Sequence, residues 1–177
     1  MNTTMKEEVE KTLKVLIGLP LRDSGRSASL QWFDFGSNLT TVPMQIGETT
    51  TDGEYVIDTE CAWHIARPNG IIVGSRDRLY PAGEDPYKDL LEFEWDKPGV
   101  NRCDEKIKKL FEERKNNPLF VQSLEANNWG GLKINLSENY TFEIFPDGSV
   151  GEEYWRFYNS STSSHHFVVT SQGIMRR

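Results

Sequence analysis

The sequence predicts an α+β fold: a mainly antiparallel sheet in two pseudo-repeated halves, each opened by a helix. Three observations lead there. Apolar residues alternate with period two through much of the chain. Two segments with helix-start signals each precede a run of strand candidates. And Trp63-His64-Ile65 with Ile71-Ile72-Val73-Gly74-Ser75 is echoed about ninety residues later by Trp155-Arg156-Phe157 with Phe167-Val168-Val169-Thr170-Ser171. In each pair a Trp-bearing strand is followed by a turn and a β-branched return strand, which points to an internal repeat.

The first helix begins at Thr4-Met5-Lys6-Glu7, a capping box in which hydroxyl and carboxylate satisfy backbone donors reciprocally. Met5, Val9, Leu13, Leu16 and Ile17 line one helical face, and Gly18 and Pro20 end it. Asp23-Ser24-Gly25-Arg26-Ser27 is taken as a flexible loop, because it lacks the spacing of a phosphate-binding loop or a nucleophile elbow. Residues 30–35 form a strand, and a short edge strand is expected around 42–46. Residues 55–65 give the clearest strand signal. Tyr55, Ile57, Thr59, Cys61, Trp63 and Ile65 fall on one face, and Val56, Asp58, Glu60, Ala62 and His64 on the other. Pro68-Asn69-Gly70 turns the chain into a partner strand at 70–75.

Residues 80–100 form an acidic, proline-containing connection between halves at about 1–79 and 101–177 of a single domain, expected to be partly ordered. Asn101 caps a second helix with Ile107, Leu110 and Phe111 on its buried face. Arg114 and Lys115 suit its last turn, and Pro118 lies beyond it. Leu132, Ile134 and Leu136, then Tyr140, Phe142 and Ile144, alternate as strands. Pro146-Asp147-Gly148 is a turn, and strands at 153–158 and 165–170 close the set.

Nine Phe, six Tyr and five Trp supply large buried area to a chain of 177 residues, enough for one well-packed domain. The net charge of −7 argues against nucleic acid and against an anionic membrane surface. It favours solubility, and it would attract a basic partner if the acid groups cluster, with an ordinary acidic protein as the preferred reading. No signal peptide or spanning segment is read, so a cytoplasmic setting is expected, with Cys61 and Cys103 as reduced, mostly buried thiols. No cofactor or metal is expected.

Asp58, Glu60 and His64 share the polar face of the 55–65 strand, a donor set suited to a divalent metal or to acid–base chemistry. Yet Glu60 and His64 lie about 13 Å apart on a regular strand, too far for a direct chelate, and a solvated sheet face is preferred. Asp77 is expected to pair with Arg76, Arg78 or Arg156. With Arg156 it is the polar residue most worth mutating, because each adjoins an echoed element. His165 and His166 would face opposite sides of a strand. The candidate partner surface is Glu84, Asp85, Asp89, Glu92, Glu94 and Trp95, although a solvated linker is the preferred reading of that stretch.

Residues 55–65, Val73-Gly74-Ser75-Arg76-Asp77, Phe142-Glu143-Ile144-Phe145-Pro146-Asp147, Trp155-Arg156-Phe157 and His166-Phe167-Val168-Val169 together resemble a family of small acidic bacterial proteins of uncharacterised function. The resemblance spans about residues 5–174 and implies a bacterial, cytoplasmic setting but no activity. It also implies Arg where His64 stands. The favoured expectation is a non-enzymatic binding or interaction protein, with an immunity-type inhibitor of a basic partner as one form it could take. The alternative is a small metal-dependent hydrolase using Asp58, Glu60, His64 and Asp77.

Overall fold

The computed structural model describes residues 3–43, 49–150 and 152–177, with 37–43 and 49–51 described at the backbone only. It is an α+β fold with, among the described residues, eleven antiparallel strands and two α-helices. In chain order these are α1 (Met5–Leu13), β1 (Pro20–Ser27), β2 (Leu30–Pro43), β3 (Thr49–Thr59), β4 (Ala62–Arg67), β5 (Gly70–Gly74), α2 (Arg102–Glu113), β6 (Leu119–Ala126), β7 (Leu132–Leu136), β8 (Thr141–Phe145), β9 (Glu153–Asn159), β10 (Phe167–Thr170) and β11 (Gly173–Arg176). Short 3-10 turns at Lys14–Leu16, Ser75–Leu79 and Ser137–Asn139 join some of them.

The sheet runs β11-β10-β9-β3-β2-β1-β6-β7-β8-β4-β5. Its two wings meet at β1 and β6, which pair only through Pro20–Phe120 and Leu21–Leu119. The wings then fold over one another. Phe33 on β2 packs edge-on against Trp63 on β4 at 4.9 Å between ring centroids, and lies 4.2 Å from Phe142 on β8. Strands distant in the sheet order therefore share one core, into which α1 sends Val9 and Leu13 and α2 sends Cys103, Ile107 and Leu110.

Both helix starts are as the sequence predicts. The Thr4 hydroxyl accepts from Glu7 N–H while the Glu7 carboxylate accepts from Thr4 N–H, and the Asn101 side chain accepts from Asp104 N–H. Leu16 is buried in the turn after α1, but Ile17 is half-exposed. Arg114 is the C-cap of α2 and spends its charge on Glu138 rather than on the helix end.

The 55–65 segment is two strands. β3 ends at Thr59, and the amides of Glu60 and Cys61 both donate to the Tyr154 carbonyl. Two donors on one acceptor end the ladder, and the chain crosses to the other wing, where β4 pairs with β8 and β5. Residues 20–27 are strand β1 rather than a loop, and β6 and β11 have no counterpart in the sequence reading. The strand expected at 42–46 falls partly outside the described residues. Its described part, Val42 and Pro43, continues β2 and pairs with Thr50 and Thr49.

Each Trp strand pairs with its own return strand on one side and with a strand from the opposite half of the chain on the other: β4 with β8, β9 with β3. The helices interleave likewise, α1 lying on β6 and α2 on β1 and β5.

The register of β2 and β3 slips between Phe35 and Leu39, and Gly53 sits at the slip. A Cβ there would stand 2.8 Å from both the backbone nitrogen and the carbonyl oxygen of Phe35. Backbone cannot retreat as a side-chain tip can, so Gly53→Ala should lower unfolding stability by about 1–3 kcal/mol in denaturant titration.

Candidate binding surface

The predicted site residues occupy separate surroundings. Asp58 lies on the face of β3 turned away from the core, in a cross-strand row of Gly25, Trp32, Asp58, Arg156 and Val168. The next row holds Asp23, Asp34, Val56 and Tyr158. Glu60 is exposed at the crossing between β3 and β4. His64 sits in the other wing, in a row with Lys133 and Glu143, its ring 4.8 Å from Phe145. Its Nε2 is 4.0 Å from the Glu143 carboxylate, and burial holds its pKa below the ordinary value despite that carboxylate.

Asp77 accepts from Gly74 N–H at 3.0 Å and from Lys106 Nζ at 3.2 Å, tying the end of β5 to α2. The partner is therefore Lys106, not Arg76, Arg78 or Arg156. Arg156 is taken by Glu153 in a two-pronged pair and faces Asp58 across the strand. Asp58, Glu60 and His64 do not share a face, because the crossing at Glu60–Cys61 divides them between wings. Among the described residues no three His, Cys, Asp or Glu side chains are grouped to hold one ion.

Asp34 is a buried acid that sequence analysis did not single out. Only 1% exposed, it accepts from Gly53 N–H at 2.9 Å, and burial pushes its pKa up to about 7. Burial does the same to Asp58, against the pull of Arg156. Burial and neighbouring acids also raise the Tyr158 phenol, whose ring stacks on His166 at 4.2 Å. Burial holds Cys61 at about 11 and Cys103 at about 12, so both free thiols stay protonated near neutrality. Cys61 is only half-buried.

The acidic connection is a loop closed at its neck. Pro81 bridges Asn101, Ala82 N–H donates to Val100 at 2.9 Å, and Arg102 N–H donates to Tyr80 at 2.8 Å. Its limb at 95–97, just inside the neck, is held by Arg26, whose side chain is 7% exposed. The Arg26 guanidinium grips Asp104 through Nε (2.7 Å) and Nη2 (2.9 Å), donates to Asp96 Oδ1, and reaches the carbonyls of Trp95, Asp96 and Lys97. Asn101, fully buried, donates to the same Trp95 carbonyl. An Arg fork fits this task because its five donors are fixed in one plane. Its neighbours Ser, Gly and Asp carry no sequence mark of the role.

Glu84, Asp85, Asp89, Glu92, Glu94 and Trp95 are all exposed on this loop, as are Tyr87 and Leu91, the latter at 99%. Five carboxylates and an apolar tip thus stand in water on a loop whose two ends are tied together.

The chain matches no protein-family model, no curated protein and no solved structure. Among the described residues, no helix is long and apolar enough to cross a membrane.

Two outcomes follow. Arg26→Met leaves Asp104 without its charge partner and should cost about 3–5 kcal/mol. Hydrogen exchange should then quicken first at 95–101. Separately, Asp34 and Asp58 bind protons more tightly folded than unfolded, where Asp titrates near about 3.9. Their contribution is full below that value and is lost as pH rises toward about 7. Unfolding stability should fall across that window, and Asp34→Asn should flatten the fall.

Proposed function

We propose that this chain is a non-enzymatic binding protein that docks a basic protein partner on the 84–96 loop, in the manner of an immunity-type inhibitor. The observation that carries the reading is the anchored neck. Arg26, Asn101 and the Tyr80–Arg102 contact close the two ends of the loop and tie its 95–97 limb to β1. A loop tied at its ends loses less conformational entropy on association than a free segment of the same length. The carboxylates and the net charge of −7 would speed encounter with a cationic surface, while Tyr87, Leu91 and Trp95 offer the apolar contact that charge alone lacks. A bacterial cytoplasm is the setting that the sequence resemblance suggests for it.

The hydrolase alternative draws no support from the placement of Asp58, Glu60, His64 and Asp77, which stand in four different surroundings. The echoed Trp hairpins support a further part of the proposal, that the two halves are pseudo-repeats. Their partners correspond: Arg156 faces Asp58 across one strand pair, and His64 faces Glu143 across the other.

The test is affinity capture from lysate of the source cell, with the native chain and a variant carrying Glu84→Gln, Asp89→Asn, Glu92→Gln and Glu94→Gln. The expected catch is a basic protein, retained at low salt, released near about 0.5 M salt, and lost by the variant. A catch indifferent to both salt and the four substitutions would overturn the proposal.

A further inference from the structure

β1 pairs with β2 from Leu21 to Ser27, but with β6 only at Pro20 and Leu21. Beyond that point the two central strands diverge, and each has an edge facing away from its hairpin partner. On β6 the edge is met by α1 at the strand's last residue: the Glu10 carboxylate accepts from Ala126 N–H at 3.0 Å, and Lys6 Nζ donates to the Ala126 carbonyl at 3.2 Å. On β1, among the described residues, no strand or helix backbone pairs with the edge at 23–27. Only Ser24 N–H is met locally, by the Asp23 carboxylate at 2.8 Å.

That edge lines one side of a cleft of about 590 Å³. Asp96 and Pro98 of the acidic loop and Ile107 and Lys108 of α2 line it elsewhere, and Trp32 adds an aromatic wall. The Trp32 ring lies over Gly25, where a Cβ would come within 2.4 Å of it, so the floor beside the edge is flat and apolar. Arg26 spends its charge on Asp104 and Asp96, and Lys108 has Glu112 at 3.9 Å. Exposed Asp23 at the mouth and half-free Asp96 leave the cleft negative.

We propose that the 23–27 edge of β1 receives an extended, basic segment of a protein partner as an added strand. A bare edge offers a row of backbone donors and acceptors, and alternate side chains of the incoming strand supply specificity. Cationic side chains would meet Asp23 and Asp96, and one could lie on the Trp32 face. A second copy of this chain fits poorly, since each carries −7. The inference rests on the basic partner proposed above and gives the way it is held.

The test uses the full ¹⁵N-labelled chain and three amidated probes: an octapeptide alternating Lys and Val, the same peptide N-methylated at alternate amides, and hexalysine. Expected are amide shifts at 23–27 and at the Trp32 indole with the first peptide, slowed exchange at Ser24 and Arg26, and binding about tenfold weaker after N-methylation. Shifts confined to 84–96 with every probe would overturn strand addition and leave docking on the acidic loop standing. No shift anywhere at millimolar peptide would overturn both. The same edge shifts on raising protein concentration without peptide would assign the edge to a second copy and overturn the proposal.

Discussion

The fold depends on a seam two residue pairs long. Pro20 and Leu21 of β1 meet Phe120 and Leu119 of β6, and the seam is extended by Gly18 N–H donating to Val121 and Val121 N–H donating to Leu19. So few pairs cannot hold two wings by ladder hydrogen bonds alone, each contributing about 1 kcal/mol net. The wings are held by what the seam allows. It lets them fold face to face, so that Phe33, Trp63 and Phe142 pack as one cluster and Leu21, Leu119 and Val121 are buried at the hinge. Hydrophobic burial across the fold then far exceeds the hydrogen bonding across the seam.

A short seam also explains the polar architecture. Because β1 and β6 part after two pairs, each leaves backbone uncovered, and the helices lie where they can reach it. α1 meets β6 through Glu10 and Lys6, and α2 meets β1 through the Arg26–Asp104 pair. The first contact satisfies backbone groups of the strand directly. The second binds a side chain that turns instead to the loop carbonyls at 95–97. One arrangement meets an edge at its last residue; the other builds a wall at a distance from it.

Much of this was legible in the sequence. The helix caps at Thr4 and Asn101 are local chemistry, and so are the strands whose apolar alternation meets a single core. The break at Glu60–Cys61 was not. Ile57 and Thr59 before it and Trp63 and Ile65 after it all point into the same core, so the alternation keeps its parity through the crossing and looks like one strand. Strand β1 was hidden for the opposite reason. Its Asp, Ser, Gly and Arg carry turn propensity, and it is tertiary pairing with β2 that makes it a strand. The site was legible as composition only. The acids of 84–96 were visible, whereas the residues that fix them, Arg26 and Asp104, lie 78 positions apart. The buried acid Asp34 owes its position to a register slip that no periodicity announces.

The carboxylates divide into two classes with opposite physical behaviour. Asp34 and Asp58 are withdrawn from water, and a charge there costs the fold stability. Glu84, Asp85, Asp89, Glu92 and Glu94 stand in solvent, where charge costs the fold little and projects outward. Only the second class projects its field into solution. Asp96 and Asp104 stand between the classes, partly exposed yet committed to Arg26. That intermediate pair ties the 95–97 limb of the acidic loop to β1. The acids that reach solvent and the unpaired edge of β1 are thus joined through one side chain, Arg26, which belongs to the edge strand and binds the loop.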